Sequence, residues 1–243
     1  MVKKKTWVGI LISIGFFSTF PVWAEVIEVD TNFDGKVDQW RHLTSDGKIK
    51  KIEHDGDFNG KIDQTEYFKG DKKLVRVEAD KNQDGTMDHF HYYNESGNVE
   101  RIEKSSKMNG TIDSREIFGV NKKLKKIEFD ENGDGKFERF QYYDDQEKLV
   151  RVAIDSNNNG SIDRWSYFNG DQIDHTAFDT DGNGKPDQWQ YYEVGGGETL
   201  KKVEFDTNND GKVDRWEHFT AGKRKKIELD RNFDGKVDLT QNK

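Results

Sequence analysis

The chain has 243 residues, of which 35% are charged and 32% hydrophobic, and its formal net charge is −8. An acidic charge balance of this kind argues against nucleic acid as a partner, so none is expected. The absence of cysteine excludes disulfides, zinc–thiolate sites and thiol catalysis.

Residues 1–24 have the pattern of a signal peptide. Three lysines at 3–5 are followed by an apolar run over residues 7–20, and small residues precede a cleavage point after Ala24. The apolar run is short for a membrane span, and an uncleaved membrane anchor is the alternative. We therefore expect a mature chain that begins at Glu25 and has no membrane span. Its expected location is the periplasm, the cell surface or the medium.

A nine-residue motif is repeated along residues 30–238. In its clearest copy, Asp206–Asp214, oxygen-bearing side chains occupy positions 1, 3, 5 and 9, and glycine occupies position 6. Nine copies, called loops one to nine in chain order, begin at Asp30, Asp55, Asp80, Ser105, Asp130, Asp155, Asp179, Asp206 and Asp230. Consecutive starts are 25, 25, 25, 25, 25, 24, 27 and 24 residues apart. Such a period is typical of repeat architectures, so we predict a single β-repeat domain over residues 25–243.

The segments between the loops predict β-strands. They are short, rich in Val, Ile, Tyr, Phe and Trp, and bounded by glycine-containing turns. Aromatic residues two apart, as in Trp40/His42 and Phe90/Tyr92, follow the period of a strand. We interpret each repeat of about 25 residues as a β-hairpin. The predicted fold class is all-β: an elongated, solenoid-like antiparallel meander with the loops along one edge. A closed β-propeller with two repeats per blade is the alternative.

One face of this sheet is expected to carry both the aromatic residues at position 11 and the Ile and Val residues of the returning strands. The position-11 aromatic residues are Trp40, Phe90, Phe140, Trp165, Trp189 and Trp216. The returning-strand residues are Ile52, Val77, Ile102, Ile127, Val152, Val203 and Ile227.

The loops have the composition of sites for a hard cation. Calcium takes six to eight oxygen ligands, and glycine at position 6 permits the sharp turn that brings them together. Five loops share one plan, with ligands Asp30, Asn32, Asp34, Asp38; Asp80, Asn82, Asp84, Asp88; Asp130, Asn132, Asp134, Glu138; Asp206, Asn208, Asp210, Asp214; and Asp230, Asn232, Asp234, Asp238. In two loops the carboxylate is at position 3 and the amide at position 5, the reverse of the first plan: Asp55, Asp57, Asn59, Asp63; and Asp179, Asp181, Asn183, Asp187.

Two further loops depart from these plans. Loop six has only two carboxylates and is expected to bind more weakly; its ligands are Asp155, Asn157, Asn159 and Asp163. Loop four has Ser105 and Lys107 at positions 1 and 3, and an ammonium group there repels a cation, so we predict that this loop stays empty. Up to eight calcium sites are therefore expected. A plain Asx turn without metal is the alternative for any one loop, but it does not require carboxylates at positions 1 and 9 together.

The motif resembles the calcium loops of EF-hands, dockerins, thrombospondin type 3 repeats and the FG-GAP repeats of integrin propellers. The resemblance covers nine residues of each repeat and implies calcium in preference to magnesium. EF-hands have a bidentate glutamate at position 12; here Glu66 and Glu217 are candidates for that role, and most loops lack it. The chain is therefore more similar to the FG-GAP type, in which the loop joins two strands. As a whole it resembles a bacterial exported calcium-binding repeat protein.

No catalytic motif is present: the sequence has no Gly-x-Ser-x-Gly, no phosphate-binding loop and no His-Glu-x-x-His. We predict a non-enzymatic structural protein in which calcium rigidifies the loops between strands. The alternative is a carbohydrate- or protein-binding surface or adhesion module, of propeller or solenoid type, with aromatic residues that stack on sugars. A weak ion buffer is a third interpretation. The sequence does not identify an envelope glycan or protein partner.

Overall fold

The computed structural model describes residues 25–70, 72–193, 195, 197 and 199–243. These residues form eighteen β-strands and no helix. The strands are β1 (Val26–Val29), β2 (Gln39–Leu43), β3 (Ile49–His54), β4 (Gln64–Lys69), β5 (Lys73–Ala79), β6 (His89–Tyr93), β7 (Val99–Lys104), β8 (Ser114–Phe118), β9 (Leu124–Phe129), β10 (Arg139–Tyr143), β11 (Leu149–Ile154), β12 (Arg164–Asn169), β13 (Gln172–Phe178), β14 (Gln188–Tyr192), β15 (Leu200–Phe205), β16 (Arg215–Thr220), β17 (Lys223–Leu229) and β18 (Leu239–Asn242). The predicted signal peptide lies outside the described residues.

The repeat is a β-hairpin followed by a loop, as predicted. In the first complete repeat, loop one leads into β2, a tight turn leads into β3, and β3 leads into loop two. The turn is closed by the N–H of Thr44, which donates to the carbonyl of Lys48 at 2.8 Å. All nine motif loops join strands, and none is followed by a helix among the described residues. The all-β hairpin-repeat prediction is therefore confirmed.

The chain divides into two compact units at the Arg115/Glu116 boundary. In the first unit, strands β1 to β7 pair antiparallel in chain order. In the second unit, strands β9 to β18 do the same. Each unit is thus an open meander, and its strands do not form the closed β-propeller that was the alternative. The prediction of a single domain over residues 25–243 stays a prediction.

The strand register separates the two sets of apolar residues that we expected on one face. Directly opposite residues of an antiparallel pair lie on the same face. Trp40 pairs with Glu53, and Arg41 pairs with Ile52. The other hairpins with a position-11 aromatic residue repeat this register. The expectation of a shared face is therefore wrong, because a displacement of one residue moves a side chain to the opposite face.

The face with the position-11 residues is built from alternating rings and charges. The guanidinium of Arg76 lies 4.3 Å from the ring centre of Tyr67, and that of Arg101 lies 3.9 Å from Tyr92. The Tyr67 hydroxyl donates to Glu78 at 2.9 Å. Cation–π contacts and hydrogen bonds of this kind satisfy polar groups beside aromatic rings. They allow a sheet face to remain partly in contact with water.

Little of the chain is fully buried. Most strand residues are half-buried on both faces. The buried apolar residues among those described are Ala79, Ala153, Ala177 and Val203. The buried polar residues are more numerous, and most of them are carboxylates at positions 1 and 9 of the loops. Stability must therefore depend on the loops as well as on apolar burial.

Candidate metal centres

All nine loops share one backbone conformation, in which positions 4 and 6 have positive φ. Position 6 is glycine in every loop, with φ between 81° and 98°, a region where a Cβ is strained. Position 4 has φ between 52° and 79°. Glycine is present at position 4 only in loops five and seven; the other loops have Phe33, Phe58, Gln83, Met108, Asn158, Asn209 and Phe233. Phenylalanine seldom adopts such φ values, so the rest of the loop must impose them.

The position-1 carboxylate organises each loop from its centre. In all eight loops with aspartate at position 1, the N–H of the position-6 glycine donates to that carboxylate at 2.6–2.8 Å. In loop five, Asp130 is 2% exposed and also accepts from the N–H groups of Gly133 and Asp134, at 2.6 and 3.2 Å. The hydrogen bonds to this carboxylate therefore stabilise the turn, in which positions 4 and 6 have positive φ.

The position-9 carboxylate closes the loop onto its own beginning. In every loop it accepts the N–H of position 2, at 2.7–3.1 Å. The position-5 side-chain oxygen likewise accepts the N–H of position 7 in every loop, at 2.7–3.0 Å. The predicted ligand residues thus also act as Asx-type caps of the backbone. A carboxylate or amide oxygen that accepts one N–H keeps a second lone pair for a cation.

The structure brings carboxylates closest together in loops two and seven. Asp55, Asp57 and Asp63 form one group whose oxygens lie within 4.8 Å of one another. Asp179, Asp181 and Asp187 form the second such group. Both loops have aspartate at position 3, where six other loops have asparagine. Positions 1, 3 and 9 therefore converge, as a cation site requires.

Loop five contains a buried oxygen that has no partner among the described residues. Its position-9 residue is Glu138, which is 8% exposed. Glu138 Oε1 accepts the N–H groups of Glu131 and Asn132, at 2.7 and 3.0 Å. Glu138 Oε2 is buried and has no hydrogen-bond donor. An unpaired buried carboxylate oxygen is costly, and a cation bound in the loop would satisfy it. The donor set of this loop therefore fits a calcium ion.

Loop four keeps the turn without the position-1 carboxylate. The Ser105 hydroxyl is fully buried and accepts the N–H of Asn109 at 3.1 Å. Asp113 still accepts the N–H of Ser106, at 2.8 Å. The φ values of Met108 and Gly110 match those of the other loops. A serine thus replaces the structural part of the aspartate but supplies no charge for an ion.

Exposed loop carboxylates have lowered pKa values. A side-chain hydrogen bond from Asn158, followed by the N–H of Lys136, lowers the pKa of Asp134. The N–H of Asn183 is the main cause of the lowered pKa of Asp181. Both groups stay ionised, and hence able to bind a cation, at pH values where free aspartate begins to protonate.

We expect calcium affinity to be flat from neutral pH to about pH 5 and to fall steeply below about pH 4. Because the folded pKa values of Asp134 and Asp181 are lowered, their contribution is present above the unfolded pKa and is lost as pH falls through the folded one. Calorimetric titrations at a series of pH values measure this profile. A decline centred near pH 6.5 would assign the dependence to histidine and contradict the carboxylate ligands.

Neighbouring loops of a unit are joined directly. The N–H of position 1 donates to the carbonyl of position 9 in the preceding loop, at 2.8–3.0 Å. The position-4 side chain also reaches the preceding loop: Asn158 Nδ2 donates to Asp134, and Asn209 Nδ2 donates to Asp181, each at 2.6 Å. Phe58 takes this place beside loop one, where it borders a cavity of about 140 Å³. Position 4 has no periodic signal in the sequence, because Phe, Gln, Met, Gly and Asn all occur there.

Glu217, the candidate position-12 ligand of loop eight, is engaged elsewhere. It lies on β16, is 6% exposed, and is hydrogen-bonded to Arg215 and to Arg224, the latter at 3.1 Å. Burial opposes its ionisation, but these hydrogen bonds prevail and lower its pKa. Glu217 is therefore part of an ion-pair network of the sheet.

Comparisons with known proteins support the loop assignment in one place. The family model described as EF hand matches residues 203–217, which contain loop eight. A comparison with curated proteins gives no match.

The described residues contain no helix with the length and apolar character of a membrane span.

Solved structures give only weak similarity. A porin-like protein from Bacteroides uniformis has a TM-score of 0.23 and 13% identity, over 83% of this chain and 90% of that chain. The TcdB2-TccC3-Cdc42 complex has a TM-score of 0.22 and 12% identity, over 90% of this chain and 13% of that chain. The Tc holotoxin pore of Photorhabdus luminescens has the same TM-score and identity, over 86% and 13%. Similarity at this level carries no argument.

Proposed function

We propose that the protein is an exported calcium-binding structural repeat protein, in which calcium rigidifies the loops between strands. The observation that carries the proposal is the convergence of three carboxylates in each of loops two and seven. Three negative charges this close repel one another, and a divalent cation removes that repulsion. The EF-hand match to loop eight supports calcium as the ion.

Calorimetric titration of the purified protein with calcium tests the proposal. The expected result is binding of up to eight ions per chain, with dissociation constants of about 0.1–1 mM, the range of extracellular calcium modules. Magnesium at the same concentration is the matched control, because it demands a tighter octahedral site. Absence of calcium binding at millimolar concentrations would overturn the proposal.

The double variant Ser105→Asp/Lys107→Asn is expected to add one calcium site. The aspartate restores the carboxylate that accepts the position-6 amide in the eight other loops, and the asparagine removes the repelling ammonium. The backbone already has the required φ values at Met108 and Gly110. Binding stoichiometry should rise by one ion per chain. The single variant Lys107→Asn is the control, and an unchanged stoichiometry in the double variant would show that residue type alone does not determine occupancy.

A carbohydrate-binding surface is the second candidate function, and one arrangement favours it. Phe140, Trp165 and Trp189 lie in one row across β10 to β14, with the buried Ala153 and Ala177 between them. A row of half-exposed rings is suited to stacking on sugars. Quenching of tryptophan fluorescence by acrylamide, with and without soluble glycans, tests this candidate. Protection by a glycan that is lost in Trp189→Ala would support it.

Export and the absence of catalysis belong to the same proposal. The support for export is the sequence of residues 1–24, and cleavage after Ala24 can be checked by N-terminal sequencing of the secreted protein. Nine near-equivalent loops, none with a singular acid–base pair, support a non-enzymatic role. Extracellular calcium would then keep the loops occupied.

A further inference from the structure

An ion pair recurs on the returning strand of most hairpins. Among the eight described returning strands, six contain the pattern cation–x–Glu, and the cation pairs with the glutamate two residues further on. Lys126 Nζ lies 2.7 Å from Glu128, and Lys202 Nζ lies 2.6 Å from Glu204. The same pair is formed in β3, β5, β7 and β17. Residues two apart in a strand lie on one face, so each of these hairpins neutralises its own cation on that face.

Strands β11 and β13 depart from this pattern. Alanine replaces the glutamate in both, as Ala153 after Arg151 and as Ala177 after His175. His175 Nδ1 lies 2.7 Å from a carboxylate oxygen of its neighbour Asp174. Arg151 makes no ion pair in the described part of the chain, and its buried Nε has no hydrogen-bond partner there. Arg151 therefore has the charge of its counterparts in the other hairpins but lacks their carboxylate.

Aromatic rings flank Arg151 on the same face of the sheet. The register places Arg151 between Tyr142 and Tyr167, and directly opposite residues share a face. The guanidinium lies 4.0 Å from the ring centre of Tyr142. The ring of Tyr167 stacks on His175, with 4.4 Å between ring centres and 12° between planes. The side chains around Arg151 thus form a platform of rings that extends from β10 to β13.

The row of Phe140, Trp165 and Trp189 lies beside this platform, on the same face. Ala153 and Ala177 alternate with these rings and are 2% and 1% exposed, so neighbouring side chains cover both alanines. From β10 to β14 neither row contains a carboxylate.

Packing between rings does not require alanine at these two positions. Glu204 occupies the equivalent position of β15 and is directly opposite Trp189 on one side and Trp216 on the other. A glutamate is therefore compatible with two flanking tryptophans. Its absence from β11 leaves a guanidinium beside a row of rings, on a face that other hairpins keep neutral.

We propose that this surface, called the Arg151 patch and formed by Arg151, Tyr167, His175, Phe140, Trp165 and Trp189, binds a polysaccharide of uronic acids. Sugar rings stack on the aromatic row, and a uronate carboxylate pairs with Arg151 in place of the missing glutamate. The guanidinium fork matches a carboxylate in a bidentate pair, which a neutral sugar does not provide. The inference rests on the second candidate function, the carbohydrate-binding surface, and does not depend on calcium in the loops.

Calorimetric titration of the calcium-saturated full chain with tetragalacturonate tests the inference. The neutral control is the same tetramer with its carboxyl groups reduced to alcohols, at equal ionic strength and equal free calcium. The unaltered protein should bind the acidic tetramer more tightly than the neutral one. Arg151→Ala should weaken binding of the acidic tetramer by about 10-fold and leave binding of the neutral tetramer unchanged. Arg101→Ala is the matched control, because Arg101 has the same place in β7 but is paired with Glu103.

Ala153→Glu tests the same inference with Arg151 retained. It supplies the partner that six other hairpins have, so it should weaken binding of the acidic tetramer as much as Arg151→Ala does. Ala153→Gln fills the same space without the charge and should retain the preference for the acidic tetramer. Circular dichroism verifies that each variant is folded. Equal losses in the two Ala153 variants would contradict the role of the missing carboxylate.

The remaining outcomes separate this inference from the functions on which it rests. Unchanged affinity of Arg151→Ala for the acidic tetramer would overturn the inference, and it is the result expected if the carboxylates bind calcium in the loops instead. Equal affinity of the unaltered protein for both tetramers would leave the carbohydrate-binding surface in place and refute the preference for uronates. Binding of neither tetramer would refute both, whereas the calcium titration tests the structural role independently.

Discussion

Removal of calcium with a chelator is expected to lower the free energy of unfolding by about 11 kcal/mol. At a free calcium concentration ten times the dissociation constant, each site stabilises the folded chain by about 1.4 kcal/mol, and eight independent sites give the total. A typical domain has only about 5–15 kcal/mol of stability in all. Among the described residues the fully buried apolar side chains are three alanines and one valine, so burial of this kind offers little to compensate.

Thermal melts followed by circular dichroism, with calcium and with chelator, measure this effect. Sodium chloride at matched ionic strength is the control for simple charge screening between carboxylates. Coincident melting curves in calcium and chelator would refute the structural role of the ion. A folded apo-protein that still binds calcium would favour the ion-buffer interpretation.

Asp130→Ala is expected to have the largest effect of any single loop substitution. Asp130 is 2% exposed and accepts three backbone N–H groups, and the net contribution of each such hydrogen bond is about 1 kcal/mol. We expect a loss of about 3 kcal/mol in chelator from these donors alone. In calcium the loss should be larger, and the stoichiometry should fall by one ion per chain. Chemical denaturation and calorimetry provide the two measurements.

Ser105→Ala is the matched control, because it removes the position-1 acceptor from a loop without the acidic ligand. Ser105 accepts one backbone N–H, from Asn109. Its loss should cost about 1 kcal/mol, equally in calcium and in chelator. An equal cost for Asp130→Ala in the two conditions would mean that loop five holds no ion.

The sequence predicted the loops and strands because their signals are local. Positions 1, 3, 5 and 9 are recognisable from the oxygen-bearing side chains of the motif itself. The strands are recognisable as short apolar segments between glycine turns. The register was not predictable in this way. A shift of one residue between β2 and β3 exchanges Glu53 for Ile52 opposite Trp40, and either arrangement has the same strand composition.

The part of the loops that the sequence did not reveal is their contact with one another. Asn158 donates to Asp134 across 24 residues of sequence, and this contact depends on the adjacency of two loops in space. The role of Glu217 was missed for a similar reason, since Arg224 lies on the neighbouring strand. Spacing within one motif identifies ligands, whereas contacts between motifs require the folded sheet.

Among the described residues of a unit, each strand contacts only the strands that precede and follow it in the sequence. The free energy of such a unit is a sum of repeat terms and nearest-neighbour terms. Length is therefore an adjustable property of this architecture. Deletion or duplication of one whole repeat, cut at equivalent loop positions, keeps the nearest-neighbour pairing of the strands, and stability should change by the terms of the repeat that is removed or added.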